Sequence, residues 1–201
     1  MPVAVDIAYV ETPDAEPLGV RRQFGRSLMR RLVDARLGAG VARVETAESG
    51  QPVVLGAARP AFVSLTHTDR LVAAAFATTR VGIDAEPLDR APSRPSLRAR
   101  VCSPAELRWL DELPESQQSQ GFLRLWTRKE AYGKAIGVGI GFGLRSTDFV
   151  PDDAPHRGVP GGWHAREVAL SPDVVAAVVV EGSIGRIELT KVDPRELADL
   201  G

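Results

Sequence analysis

The chain has 201 residues and a formal net charge of −1, with 44% hydrophobic and 25% charged residues. That length suits one large domain or two small ones, with room for a hydrophobic core. The near-zero charge excludes the global basic field that drives nucleic-acid binding, and no segment reaches the roughly 20 apolar residues of a membrane span. The single cysteine, Cys102, excludes an internal disulfide and suits a reducing cytosol, and MPVAVDIAYVETPD lacks the charged start and apolar run of a signal peptide. These features set the expectation of a cytoplasmic protein with neither nucleic acid nor membrane as partner.

In chain order, valine-rich Val3 to Val10 reads as a strand ended by Pro13. From Val20 to Leu37 the period is helical, with Phe24, Leu28, Leu32 and Val33 on one side and Gly38 as the stop. Ala61 to Leu65, Leu71 to Ala77 and Val81 to Ala85 are short apolar runs between turn residues, hence antiparallel strands. The link PLDRAPSRPSLRAR follows as the best boundary. Ser103-Pro104-Ala105-Glu106 has the hydroxyl, proline and glutamate of a capped helix start. A longer helix is expected from Ser119 to Ile136, stopped by glycines 137, 139, 141 and 143. Strands at Thr147 to Val150, Trp163 to Val168, Val174 to Val180 and Arg186 to Thr190 complete the pattern, with a loop around 152–162.

LTHTDRLVAAAF followed by VGIDAE is echoed later by ALSPDVVAAVVV followed by IGRIE, and the two long helices are offset similarly. The fold expected is therefore α+β, a pseudo-dimer of two similar halves, each a small antiparallel sheet packed on a long helix. Residues 1–86 form the first half and 87–201 the second.

Positive charge is carried almost entirely by arginine, yet two of the only three lysines, Lys129 and Lys134, lie in WTRKEAYGK. An ammonium and a guanidinium differ in shape, hydration and ease of pKa tuning. Glu130 stands four residues before Lys134, on one helical face. Lys129 shares the apolar face with Phe122, Trp126 and Ile136, so it needs an anionic partner, either a phosphate or a carboxylate. Trp126 reads as core filler. Asp84 and Glu86, two apart in an extended strand, point the same way. They could converge on a hard cation such as magnesium or simply open a solvated acidic loop. His67, flanked by Thr66 and Thr68, offers donors that could hold a phosphate or could be structural. Cys102 reads as a packed thiol, and GVGIGFG follows a helix without the lysine-hydroxyl ending of a nucleotide loop.

VGIDAE followed some forty residues later by WTRKEAYGK resembles the paired signature of 4′-phosphopantetheinyl transferases, and the length, two-half organisation and THT segment resemble the surfactin-synthetase-activating (Sfp-type) branch. The resemblance implies an enzyme that moves the phosphopantetheine arm of coenzyme A onto a serine of an apo acyl or peptidyl carrier protein, releasing 3′,5′-ADP. It further implies magnesium held by Asp84, Glu86 and Glu130, with Glu130 also as base and Lys134 on the pyrophosphate. Thr66 and His67 would meet the nucleotide 3′-phosphate. Arg21 and Arg22 fall where the first helix would meet coenzyme A, with Arg59 or Arg70 as further candidates. Gln51 stands where the family usually has lysine. A monomer is expected, serving carrier domains of polyketide, nonribosomal peptide or fatty-acid synthases. The segment Arg94 to Leu110, with Leu97, Arg98, Arg100, Val101 and Trp109, has the basic rim and apolar centre of a docking surface for an acidic carrier. Two other classes share these residues: a magnesium-dependent phosphatase or nuclease, and a non-catalytic coenzyme A or carrier-protein binder.

Overall fold

The computed structural model describes residues 1–12, 14–90, 95–138, 143–150 and 161–198. Its strands are β1 (Val3–Glu11), β2 (Arg43–Thr46), β3 (Pro52–Leu55), β4 (Phe62–His67), β5 (Leu71–Ala77), β6 (Val81–Pro87), β7 (Trp163–Glu167), β8 (Val174–Glu181) and β9 (Ile184–Lys191). Its helices are α1 (Leu18–Leu37), α2 (Pro95–Val101), α3 (Pro104–Glu112), α4 (Glu115–Ile136) and α5 (Pro194–Ala198), with single 3-10 turns at Leu88–Arg90 and Leu144–Ser146. The architecture is mixed α+β. Among the described residues no helix is long and apolar enough to cross a membrane.

Two sheets carry the structure, one ordered β4-β5-β1-β9 and one ordered β6-β8-β7, with β2 and β3 forming a separate ribbon. The tight turns after β5 and β8 do not make simple hairpins. β6 leaves β5 to pair with β8, and β9 leaves β8 to lie beside β1. The expectation of antiparallel sheets fails at that last pairing, because β9 enters running parallel to β1. Hydrophobic alternation could not signal this, since it fixes the face of a strand and not its neighbour.

Alternation along the strands sorts the layers. Val3, Val5 and Ile7 of β1 face Val81, Ile83 and Ala85 of β6 and Ala176, Val178 and Val180 of β8, so the sheets pack face to face. On the far side of the first sheet, Ala8, Val10, Val72 and Phe76 meet Phe24, Leu28, Leu32 and Val33 of α1. β5 is buried along its whole length and is rich in alanine, as a strand covered on both faces requires. On the far side of the second sheet lies α4, whose Phe122 and Leu125 are fully buried, each worth about 1.5–3 kcal/mol of apolar transfer.

The expected capping box is present: Ser103 Oγ accepts from the Glu106 N–H at 3.2 Å, and Glu106 accepts from the Ser103 N–H at 2.8 Å. The link after β6 contains a helix not foreseen, α2, opened by Pro95. The strand expected at Thr147 to Val150 is replaced by the Leu144–Ser146 turn and irregular backbone. The carbonyls of Leu144 and Thr147 are taken by the Lys129 ammonium, not by a neighbouring strand. The loop at 152–162 and glycines 139 and 141 fall largely outside the described residues.

Candidate active site

β6 turns Val81, Ile83 and Ala85 toward the core and Gly82, Asp84 and Glu86 toward α4. The helix comes so close that a Cβ on Gly82 would stand 1.8 Å from the Ala131 carbonyl oxygen. Only the missing side chain allows that approach. It brings the flank of α4 that carries Trp126, Glu130 and Lys134 against the two carboxylates of the strand.

The outer edge of β6 is covered by side chains of β4. Ser64 Oγ accepts the Ile83 N–H at 3.1 Å and Thr66 Oγ1 accepts the Ala85 N–H at 3.1 Å. These bonds satisfy an edge that would otherwise expose donors and tie the two sheets together. Thr66 then donates to Asp84 Oδ1 at 3.2 Å. Its hydroxyl is thus engaged by the carboxylate and the strand, while Thr66 also lines the cavity described below.

Lys134 donates to Asp84 Oδ1 at 2.8 Å, to the Ile83 carbonyl at 3.0 Å and to the Leu65 carbonyl at 3.1 Å. An ammonium has three protons, and all three are placed. Asp84 is only 6% exposed, and its other oxygen, Oδ2, is buried without a hydrogen-bond partner. Glu130 Oε1 is likewise buried and unpartnered. Burial, then the charge of Asp84, push the Glu130 carboxyl up to about 7; Lys134 pulls it down, and Glu86 adds to the rise. Glu86 Oε1 accepts from the Trp126 indole N–H at 3.1 Å. Trp126, expected as core filler, does pack against the core and also donates to this carboxylate; its spacing one turn before Glu130 was the available signal. Among the described residues no three His, Cys, Asp or Glu side chains are already gathered closely enough to hold a metal ion on their own.

Beside the carboxylates opens a cavity of about 1000 Å³ reached by Arg21, Gln51, His67, Arg80, Asp84 and Lys134. Arg21 donates to the Thr68 carbonyl at 3.0 Å, pairs with Asp69 at 3.1 Å and stands 3.4 Å from His67 Nδ1. Partial burial lowers the pKa of His67, and Arg21 and then Lys134 lower it further, so the imidazole is neutral at pH 7. Arg22 is exposed and lies outside the cavity lining, as do Arg59 and Arg70. Gln51 donates to the Lys134 carbonyl at 2.9 Å, tying the β2–β3 turn to the last turn of α4.

Lys129 has a different setting. It is fully buried and pairs with Glu106, also fully buried, at 3.0 Å. Glu106 takes further N–H bonds from Ser103 and Phe149. Of the two partners the sequence allowed, a phosphate or a carboxylate, the structure supplies the carboxylate. The proposed docking centre is also corrected, because Val101 and Trp109 are buried and only its rim, including Arg100, is exposed. Cys102 is packed as expected: burial and then Glu106 push its thiol up to about 12.

A sequence profile described as the 4′-phosphopantetheinyl transferase superfamily matches residues 80–179, which span both carboxylate strand and helix. The chain is 33% identical over 172 residues to the 4′-phosphopantetheinyl transferase HetI of Nostoc sp. (strain PCC 7120), covering 81% of this chain and 72% of the relative. It is 33% identical over 132 residues to the 4′-phosphopantetheinyl transferase psf-1 of Bacillus pumilus, where it spans 63% of this chain and 54% of the relative. Among solved structures, the holo-[acyl-carrier-protein] synthase of Thermotoga maritima aligns with a TM-score of 0.42 at 20% identity, over 52% of this chain and 64% of the other. That likeness is too loose to bear on the argument. The chain is an enzyme of the transferase class, and it belongs to the 4′-phosphopantetheinyl transferase superfamily.

Proposed function

We propose that this enzyme transfers the 4′-phosphopantetheine group of coenzyme A to a serine of an apo acyl or peptidyl carrier protein and releases 3′,5′-ADP. The observation that carries the reading is the pair of buried, unpartnered carboxylate oxygens on Asp84 and Glu130, beside a cavity that Asp84 lines together with Glu86, Arg21, His67 and Lys134. Buried acceptors without donors call for a cation, and an all-oxygen set suits magnesium. The residues present therefore fit the ion, which Asp84, Glu86 and Glu130 would hold with phosphate oxygens and water completing the shell. When bound, magnesium supplies charge neutralisation at the pyrophosphate.

In the transfer, a bond forms between the serine oxygen and the phosphorus that carries pantetheine. The bond from that phosphorus to the leaving 3′,5′-ADP breaks, and the serine proton must go to a base. Glu130, placed beside Asp84 and Glu86 on the flank of α4, is the candidate base for it. Lys134 holds Asp84 and adds positive charge beside the leaving phosphate. Arg21 and His67, the latter as a neutral N–H donor, line the cavity where the nucleotide phosphate would sit, with Arg22 outside that lining. Such chemistry needs alignment and charge neutralisation more than covalent help from the protein.

The two long helices on the outer faces of two packed sheets support the reading of two related halves, 1–86 on the nucleotide side and 87–201 bearing the helix that carries Glu130. A chain whose cleft lies between its own halves acts as a monomer, and a single buried cysteine suits the cytoplasm. The decisive assay incubates the protein with an apo carrier protein, coenzyme A and magnesium and weighs the carrier. A gain of one phosphopantetheine is expected; an unchanged carrier mass with tight coenzyme A binding would replace the transferase by a binder.

A further inference from the structure

We propose that Trp126 is a positioning residue that sets the orientation of Glu86 for metal binding; the inference rests on the magnesium reading above. The indole nitrogen is a donor only, and its proton is directed at Glu86 Oε1 over 3.1 Å. A hydrogen bond onto an ionised carboxylate is about twice as strong as a neutral one. The ring itself is held: Trp126 is half-buried and tilted against the fully buried Phe122, with centroids 6.4 Å apart.

Glu86 is the side chain on which this bond acts. It is a flexible side chain placed near Asp84 and Glu130, whose like charges favour its rotation away. A donor on the neighbouring helix opposes that rotation without adding positive charge to the site. Asp84 is handled in the same manner, with Thr66 and Lys134 on Oδ1 while Oδ2 stays unpartnered. Trp126 also lies one helical turn before Glu130, so α4 delivers the restraint and the third carboxylate from one flank. A residue that only filled the core would do so equally well without an N–H aimed at a carboxylate.

Trp126→Phe keeps an aromatic ring against Phe122 and removes the donor. Manganese binding to wild type and variant is followed by electron paramagnetic resonance with coenzyme A present, alongside thermal unfolding of both metal-free proteins. The variant is expected to bind manganese about 10- to 100-fold more weakly, the usual cost of losing a partner that orients a metal ligand. The magnesium concentration giving half-maximal transfer should rise by a similar factor, while kcat recovers at saturating magnesium. Manganese affinity within twofold of wild type overturns the inference, whatever happens to kcat. Absence of manganese binding in wild type instead removes the magnesium reading on which it stands. If the phenylalanine variant does not fold, site-specific replacement of Trp126 by 3-benzothienylalanine keeps the bicyclic shape and replaces N–H by sulfur. The same weakening is then expected, and an unchanged affinity overturns the inference.

Discussion

Five residues apart on α4, Lys129 and Lys134 each meet a buried carboxylate, yet the two settings differ in how completely they are satisfied. Around Lys129 the carboxylate of Glu106 has its ammonium at 3.0 Å and two backbone N–H donors, and the ammonium reaches two carbonyls as well. Around Lys134 the ammonium is equally well placed, but Asp84 Oδ2 and Glu130 Oε1 remain buried without donors. The first cluster is closed and holds the segment from Leu144 to Phe149 against α3 and α4. The second is left short of positive charge, which a folded protein tolerates where a ligand will supply it. Saturation, more than residue type or burial, separates the structural lysine from the one in the candidate site.

The largest effect should come from the open cluster. Glu130→Gln and Asp84→Ala are each expected to lower turnover by orders of magnitude, about 10²- to 10⁴-fold for loss of a base, with circular dichroism unchanged. Wild-type turnover in either would remove the distinction between the clusters. The closed cluster should answer in stability instead. Lys129→Met leaves Glu106 buried and uncompensated and should cost about 3–5 kcal/mol in urea unfolding, with the double variant Lys129→Met, Glu106→Gln recovering part of it. A loss of activity without loss of stability would reassign Lys129 to the site.

A third comparison uses pH. Glu130 has a folded pKa of about 7 against an ordinary 4.5, so the stability it contributes is full below its ordinary value and is lost as pH rises through 7. Metal-free Glu130→Gln should therefore be more stable than wild type at pH 8, with the advantage vanishing toward pH 4.5. Urea titrations at the two pH values decide it. The smallest effect concerns Cys102, whose thiol, buried beside the closed cluster, is raised to about 12. It should resist alkylation by iodoacetamide at pH 8 until the protein is unfolded, as mass spectrometry would read directly.

Much of this was legible in the sequence. α1 and the glycine stops after α1 and α4 followed from apolar spacing and φ preferences, and the box at Ser103 and Glu106 followed from its residue pattern. Asp84 and Glu86 could be placed on one face because a strand alternates. The closeness of Glu130 to them was not deducible from spacing, since it depends on Gly82 letting α4 descend onto β6. Trp126 packs on the core as read, but its bond to Glu86 was missed because an aromatic at helical period looks the same whether or not its N–H has an acceptor. The bond from the β6 edge to Thr66 was not foreseen, because nothing in THT reports that this edge lies behind it. The ribbon of β2 and β3 and the short α5 carry too few apolar residues to register in a pattern. The parallel β1–β9 pairing is a matter of topology, on which local periodicity is silent.

The exchange of β6 and β9 between the sheets also governs how the chain can acquire its structure. β1 precedes every other strand described in the chain, and β9 follows them all. Until β9 arrives, one side of β1 has no strand to pair with, and β6 has no sheet to join until β8 has been made. Neither sheet is complete before β8 and β9 have been made, so long-range closure dominates and folding should be slow and concerted. A nascent chain halted after α4 would display bare strand edges, the kind of surface that chaperones shield and that otherwise aggregates.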